Sequence, residues 1–133
     1  MLFRSSKEVK LILERSQVII SLSYHEGFGI SLLEGMRFGA IPIATTHSAA
    51  PEILRDTDFE SNIFEPGNLC RLKNILSRIS NLSNDQIVSL SAKAQSISLN
   101  YSYEKYAAKV VNILLEDELE RSMEKNLKDD FNV

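Results

Sequence analysis

Apolar positions change their spacing along the chain, and each change marks an element. Val9, Leu11, Ile12 and Leu13 are nearly contiguous, and Ser5 stands three residues before Glu8, as in a capping box. This predicts a short helix of one or two buried turns ending near Arg15 or Ser16. Gln17-Val18-Ile19-Ile20-Ser21-Leu22 is β-branched without a helical stripe, as expected of a strand buried on both faces. Ser23 through Gly29 reads as a turn. Residues 30–38 read as a helix that Gly39 is placed to stop, and residues 40–45 as a second buried strand. Pro42 falls early in that strand, where its missing N–H spares a ladder bond.

Downstream, Ala50-Pro51-Glu52-Ile53-Leu54 predicts a short helix with proline in its first turn. Asn62-Ile63-Phe64 reads as a last small strand and Pro66-Gly67-Asn68 as a turn. Leu69, Leu72, Ile75, Leu76 and Ile79 recur at helical spacing and predict an amphipathic helix over 69–79. Ser83 and Gln86 form a second capping box for a helix over roughly 84–98. Tyr103, Tyr106, Ala107, Val110, Val111, Leu114 and Leu115 predict a long helix from 103, and the charged stretch after Glu116 a solvated helix end. Helix, strand, helix, strand in succession is the mark of a parallel α/β sheet. Its three strands are few for such a sheet to stand alone.

Composition narrows the class. The chain has 133 residues, 44% apolar and 25% charged, with a net charge of −3. That describes one soluble domain able to bury roughly two-thirds of its unfolded surface. The acidic balance supplies no field for nucleic acid or an anionic membrane. Cys70 is the single cysteine, which excludes an internal disulfide and a cysteine-rich metal site and fits a reducing, cytoplasmic setting. No apolar run approaches membrane-spanning length, and the first residues lack a signal-peptide core. What stands out is clustering. Four of the five glycines (Gly27, Gly29, Gly35, Gly39) lie within residues 27–39, and His25 and His47 flank them.

That cluster falls after a predicted strand and before a helix, at the strand end where open α/β sheets bind ligands. Gly27 and Gly29 would let the backbone approach a ligand closely. The first N–H groups of the helix, from Ile30 to Leu33, would face an anion such as phosphate. A turn that merely closes the strand–helix junction would look the same. Two carboxylates add weight. Glu26 precedes the first glycine, and Glu34 sits just over one turn into a helix otherwise lined by Ile30, Leu32, Leu33 and Met36. A carboxylate buried there needs partners, and vicinal hydroxyls of a sugar or ribose supply them well. Glu34 pointing to water, or pairing with Arg37, is equally compatible with the sequence.

Residues 23–36 (Ser-Tyr-His-Glu-Gly-Phe-Gly-Ile-Ser-Leu-Leu-Glu-Gly-Met), the Gly39-Ala40-Ile41-Pro42-Ile43-Ala44 strand and Pro51-Glu52 resemble the group 1 (family 4) retaining glycosyltransferases. The Phe64-Glu65-Pro66-Gly67-Asn68 turn and Tyr101-Ser102-Tyr103 extend the resemblance over about residues 7–115. It implies the C-terminal, nucleotide-sugar-binding domain of a GT-B fold: a partial Rossmann-like parallel sheet with flanking helices over 1–115, its first strands missing, then a charged end over 116–133. By position, Glu26 would accept hydrogen bonds from donor-sugar hydroxyls and is the candidate catalytic residue. The backbone of Gly27, Phe28, Gly29 and Ile30 would contact the sugar and its phosphate. The helix start at Ile30, Ser31 and Leu32 would face the diphosphate, and Glu34 would hold the ribose. Transfer with retention is implied, without a metal, because fixed dipoles and basic side chains stabilise the leaving phosphate in this fold.

The implied partners are a nucleotide-diphosphate-sugar donor and an unidentified acceptor (glycan, lipid or small molecule), as in polysaccharide assembly. A missing N-terminal domain or a complementing chain would complete the cleft. The expected location is cytoplasmic, or peripheral at the inner face of the membrane. On this reading the chain is a donor-site half, inactive alone. A non-catalytic remnant or a subunit of a split transferase is the alternative, then an epimerase or phosphorylase of the same fold. Two departures stand out. His47-Ser48-Ala49-Ala50 lacks the glycines of the family's Gly-Gly-x-Pro-Glu loop, leaving a Ser48 hydroxyl as a substitute contact. Gly35 stands where the family has alanine, which should mildly weaken the helix. Asp56-Thr57-Asp58 matches a metal-binding Asp-x-Asp, but in a charged loop rather than at a strand end. His25, His47 and Cys70 show no zinc spacing.

Overall fold

The computed structural model describes residues 6–24 and 29–101. Three parallel strands, β1 (Val18–Ser21), β2 (Ile41–Thr45) and β3 (Ile63–Phe64), lie side by side in chain order. Val18 stands opposite Ile41 and Ser21 opposite Ala44, whereas β3 joins β2 only at Ala44–Ile63 and Thr45–Phe64. Helix α1 (Ser6–Glu14) precedes the sheet, and α2 (Ile30–Arg37) connects β1 to β2. Helix α3 (Ala50–Leu54) and a 3-10 turn (Glu60–Asn62) connect β2 to β3, and α4 (Leu69–Ser80) and α5 (Asn84–Leu99) follow. The expected α/β class, with a parallel Rossmann-like sheet flanked by helices, is the one found.

Local chemistry accounts for the boundaries. At the start of α5 the Ser83 N–H donates to Gln86 Oε1 at 2.9 Å and the Gln86 N–H donates to Ser83 Oγ at 3.3 Å, the reciprocal capping read from the sequence. Gly39 ends α2 at φ +85°. Pro42 sits in the central strand without loss. The Ile41 N–H bonds to the Gln17 carbonyl on the β1 side, so the next residue faces β3, and β3 does not reach that far. In its place the buried Asn62 side chain donates from Nδ2 to the Pro42 carbonyl at 2.9 Å.

The core gathers Leu32 and Met36 from α2, Ile41, Ile43 and Ala44 from β2, Ile53 and Leu54 from α3, Phe59, Phe64, and Ile75 and Ile79 from α4. Every residue of β2 is buried, as expected of a central strand. β1 departs from expectation: Val18 and Ile19 are half-buried and Ile20 is 42% exposed. Among the described residues it pairs with β2 alone, so it has the exposure of an edge strand. α1 is not the buried element its apolar run suggested, since Val9 and Ile12 are 40% and 43% exposed and Leu11 more so. At about 100° per residue Leu11 lies nearly opposite Val9 and Leu13 and to one side of Ile12, so no single packed face covers all four.

Helix α2 packs on β1, on β2 and on α5. Leu90, Ser91, Ala94, Ile97 and Ser98 form the covered stripe of α5, with Ala94 and Ser98 fully buried. Small side chains there let the two helices approach closely, which holds α2 down on the sheet. On α4 the predicted stripe is only partly used: Ile75 and Ile79 are buried, while Leu69 and Leu76 are exposed. These elements belong to one compact unit, Met1–Leu99, distinct from Asn100–Val133. The expected helix from 103 and the boundary after 115 lie outside the described residues.

Candidate functional site

Among the described residues, Gly29 and the start of α2 follow the carboxyl end of β1, and Ser48 and the start of α3 follow that of β2. Gly29 is the N-cap of α2 at φ 64°, ψ 31° and provides no side-chain cap. That left-handed conformation costs a glycine nothing and other residues about 1–2 kcal/mol. The first intrahelical bond of α2 runs from the Leu33 N–H to the Gly29 carbonyl at 3.0 Å. Helix geometry therefore offers the N–H groups of Ile30, Ser31 and Leu32 no carbonyl within α2. Leu32 contributes only backbone here, because its side chain is 1% exposed and belongs to the core.

A second helix start lies alongside. A Cβ placed on Gly29 would stand 3.2 Å from Ile53 Cδ1 and 3.4 Å from Ala49 Cβ, so the N-cap of α2 rests on the first turn of α3. The start of α3 itself offers no N–H to a ligand: the Ala50 N–H donates to Ser48 Oγ, Pro51 has none, and the Glu52 N–H donates to the Ala49 carbonyl. The Ser48 hydroxyl donates to the Thr45 carbonyl at 2.8 Å and accepts from the Ala50 N–H at 3.1 Å. It holds the entry to α3.

Glu34 lies on the exposed face of α2, one turn after Ile30, which is 60% exposed. Burial forces no partner on this carboxylate, because it is solvated. Among the described residues no ion pair joins it to Arg37; the two ion pairs found are Lys10–Glu14 and Lys93–Asp58. Glu34 and the first-turn N–H groups of α2 therefore share one helix within about a turn of each other. Ser31 is exposed at the same end, and Gly29 is buried beneath. Glu26, Gly27, Phe28 and His25 lie outside the described residues.

Gly35 has a role that helix propensity alone conceals. A Cβ there would lie 2.6 Å from Ile19 Cβ, so the glycine lets α2 lie directly on β1. Asp58 accepts a hydrogen bond from Lys93 Nζ at 2.8 Å, and its carboxyl is held below the usual carboxylate value by that bond. Of the Asp-x-Asp pair, Asp58 thus ties the loop to α5. Among the described residues no group of three His, Cys, Asp or Glu side chains is placed to hold a metal ion. Nor is any helix there long and apolar enough to cross a membrane.

Sequence reasoning passed over Thr45. It is 1% exposed at the end of β2, and its Oγ1 donates to the Ser23 carbonyl at 2.7 Å across 22 residues of chain. A hydroxyl ending a wholly apolar strand was the available signal. The sequence profile of the family described as glycosyl transferases group 1 matches residues 1–95. No individual curated protein matches the chain significantly.

Proposed function

Since the chain belongs to the group 1 glycosyl transferases, we propose that its carboxyl-edge site binds a nucleotide-diphosphate sugar and delivers the sugar to an acceptor with retention. The observation that carries this reading is the start of α2 at Gly29, which provides no side-chain cap, with solvated Glu34 on the same helix about a turn away. A diphosphate needs oriented N–H donors, and a ribose needs an acceptor for two vicinal hydroxyls. The site offers both on one short helix.

In this reading the N–H groups of Ile30, Ser31 and Leu32 face the diphosphate, and Glu34 accepts from the ribose. Glu26 accepts from the sugar hydroxyls, with Gly27, Phe28 and Gly29 leaving room for the sugar beside the backbone. The acceptor oxygen bonds to the anomeric carbon on the face that the diphosphate leaves, and the departing phosphate oxygen takes the acceptor's proton. Fixed N–H dipoles stabilise the charge that develops on that oxygen, and no metal is assigned. The acceptor is a glycan, lipid or small molecule held by a second domain or a complementing chain. The setting is cytoplasmic or peripheral at the inner membrane face.

The test is thermal denaturation with millimolar UDP, GDP and ADP and with their glucose conjugates. At least one pair should raise Tm, because a ligand that binds only the folded state stabilises it. Glu26→Gln should remove the extra effect of the sugar while keeping that of the bare diphosphate. A wild-type Tm that no nucleotide moves would overturn the donor-site reading.

A further inference from the structure

A cavity of about 200 Å³ opens where β2 begins. Ile41, Phe59, Ile79 and the Asn62 side chain are buried at its floor, and the half-buried Leu82 and Leu90 stand on its walls. Four residue steps of strand, about 13 Å, separate Ile41 from Thr45 at the carboxyl edge. Asp58 and Arg78 also line the cavity and are exposed, so they form its mouth. Asp58 is neutralised by Lys93 at 2.8 Å. Arg78 donates to two neutral oxygens, Ser61 Oγ at 2.9 Å and Asn62 Oδ1. Among the described residues no carboxylate pairs with it. The mouth therefore carries one positive charge in excess.

We propose that this cavity is a binding site, separate from the carboxyl edge, for a small monocarboxylate with an apolar body. The ring or alkyl chain fills the cavity, and the carboxylate pairs with Arg78. Volume sets the size: an apolar cavity of about 150 Å³ takes up benzene, so one ring or a chain of about six carbons fits here. The hydrocarbon of floor and walls supplies the burial. The guanidinium supplies the charge-assisted bond that orients the ligand. An arginine has five N–H donors, and the bonds to Ser61 and Asn62 use two of them. Those bonds also hold the guanidinium in place before a ligand arrives, which lowers the cost of ordering it. Nothing in this assignment rests on the donor-site reading.

NMR titration of the full chain with sodium benzoate and sodium hexanoate, at constant ionic strength, tests the assignment. Sodium acetate supplies the carboxylate without the body, and benzyl alcohol the ring without the charge. Benzoate or hexanoate should shift the amide signals of Ile41, Asn62, Ile79 and Leu90 saturably in the millimolar range. Both controls should bind at least tenfold more weakly. Leu82→Trp, which places an indole in the cavity, should abolish these shifts. Arg78→Met keeps the length of the side chain and removes its charge. It should weaken benzoate about tenfold and leave benzyl alcohol unchanged. Benzyl alcohol binding wild type as tightly as benzoate would overturn the proposal, because the charge would then play no part. So would shifts that never saturate, that centre on Gly29 and α2, or that persist in Leu82→Trp. Should Arg78→Met fail to fold, the tryptophan variant and the two controls on wild type decide the matter.

Discussion

Gly35 and Ile19 approach so closely that a Cβ on the glycine would stand 2.6 Å from both Cβ and Cγ1 of Ile19. Those atoms sit at the root of a β-branched side chain and cannot swing away. Helix propensity favours alanine over glycine by about 1 kcal/mol, but overpacking a fixed contact costs about 1–3 kcal/mol. Gly35→Ala is expected to destabilise the chain on balance and to lower its urea midpoint. A raised midpoint would show that α2 can lift off β1 at little cost. The alanine typical of the family is thus not neutral in this chain.

Asn62 completes the sheet where β3 is too short to do so. Its Nδ2 donates to the Pro42 carbonyl, and its Oδ1 accepts from Arg78, which also donates to Ser61 Oγ at 2.9 Å. Asn62→Ala leaves a buried carbonyl without its donor and should cost about 1–3 kcal/mol. Asn62→Asp keeps the acceptor for Arg78 but puts a carboxylate oxygen against the Pro42 carbonyl. Chemical denaturation at neutral pH should find both variants less stable than wild type. An alanine variant as stable as wild type would mean that water replaces the bond freely.

Glu34 separates binding from folding. Its side chain is exposed, so Glu34→Gln should leave stability within about 0.5 kcal/mol, as surface substitutions do. A hydrogen bond to a charged group contributes about 1.5–3 kcal/mol. The same change should therefore weaken nucleoside diphosphate binding roughly 10- to 100-fold, read by calorimetry. Full binding by the glutamine variant would remove Glu34 from the site.

Asp58 and Lys93 form an exposed pair whose effect depends on pH. The bond from Lys93 holds the Asp58 carboxyl below its ordinary value, while an unfolded aspartate titrates near about 3.9. The contribution is therefore fully present above the unfolded value and is lost as pH falls through the lower folded one. Wild type and Asp58→Asn should differ slightly in Tm at pH 6, and the difference should vanish at strongly acid pH. Because the side chains are 50% and 47% exposed, 1 M salt should also erase it. A difference that survives acid would point to packing rather than charge.

Much of the architecture was legible because its causes are local. Ser83 and Gln86 lie three residues apart, and helix geometry alone brings them together. Gly39 stops α2 because of its own backbone, and the β-branched residues at 18–20 and at Ile41 and Ile43 favour strands. The grouping of glycines and carboxylates at a strand–helix junction marked a candidate site, because parallel strands present their carboxyl ends together. Burial was less legible. β1 and α1 have as much apolar character as β2, yet only β2 has strands on both sides among the described residues. Exposure depends on what lies alongside, and a single stretch of sequence does not state that.

The sequence by itself determined the alternation of strand and helix, the family, and the position of the α2 start. The alternation and the helix start follow from periodicity, capping and backbone preference over fewer than about ten residues, whereas the family rests on the resemblance of the motifs within residues 23–54. Tertiary structure alone decided that Gly35 serves a contact with Ile19, that Ser48 holds the α3 entry, that Glu34 is solvated, and that Thr45 and Asn62 bond to Ser23 and Pro42. The last two bonds span 22 and 20 residues of chain. They exist only because parallel pairing brings distant backbone within 3 Å of a side chain whose own neighbours in sequence give no sign of the partner.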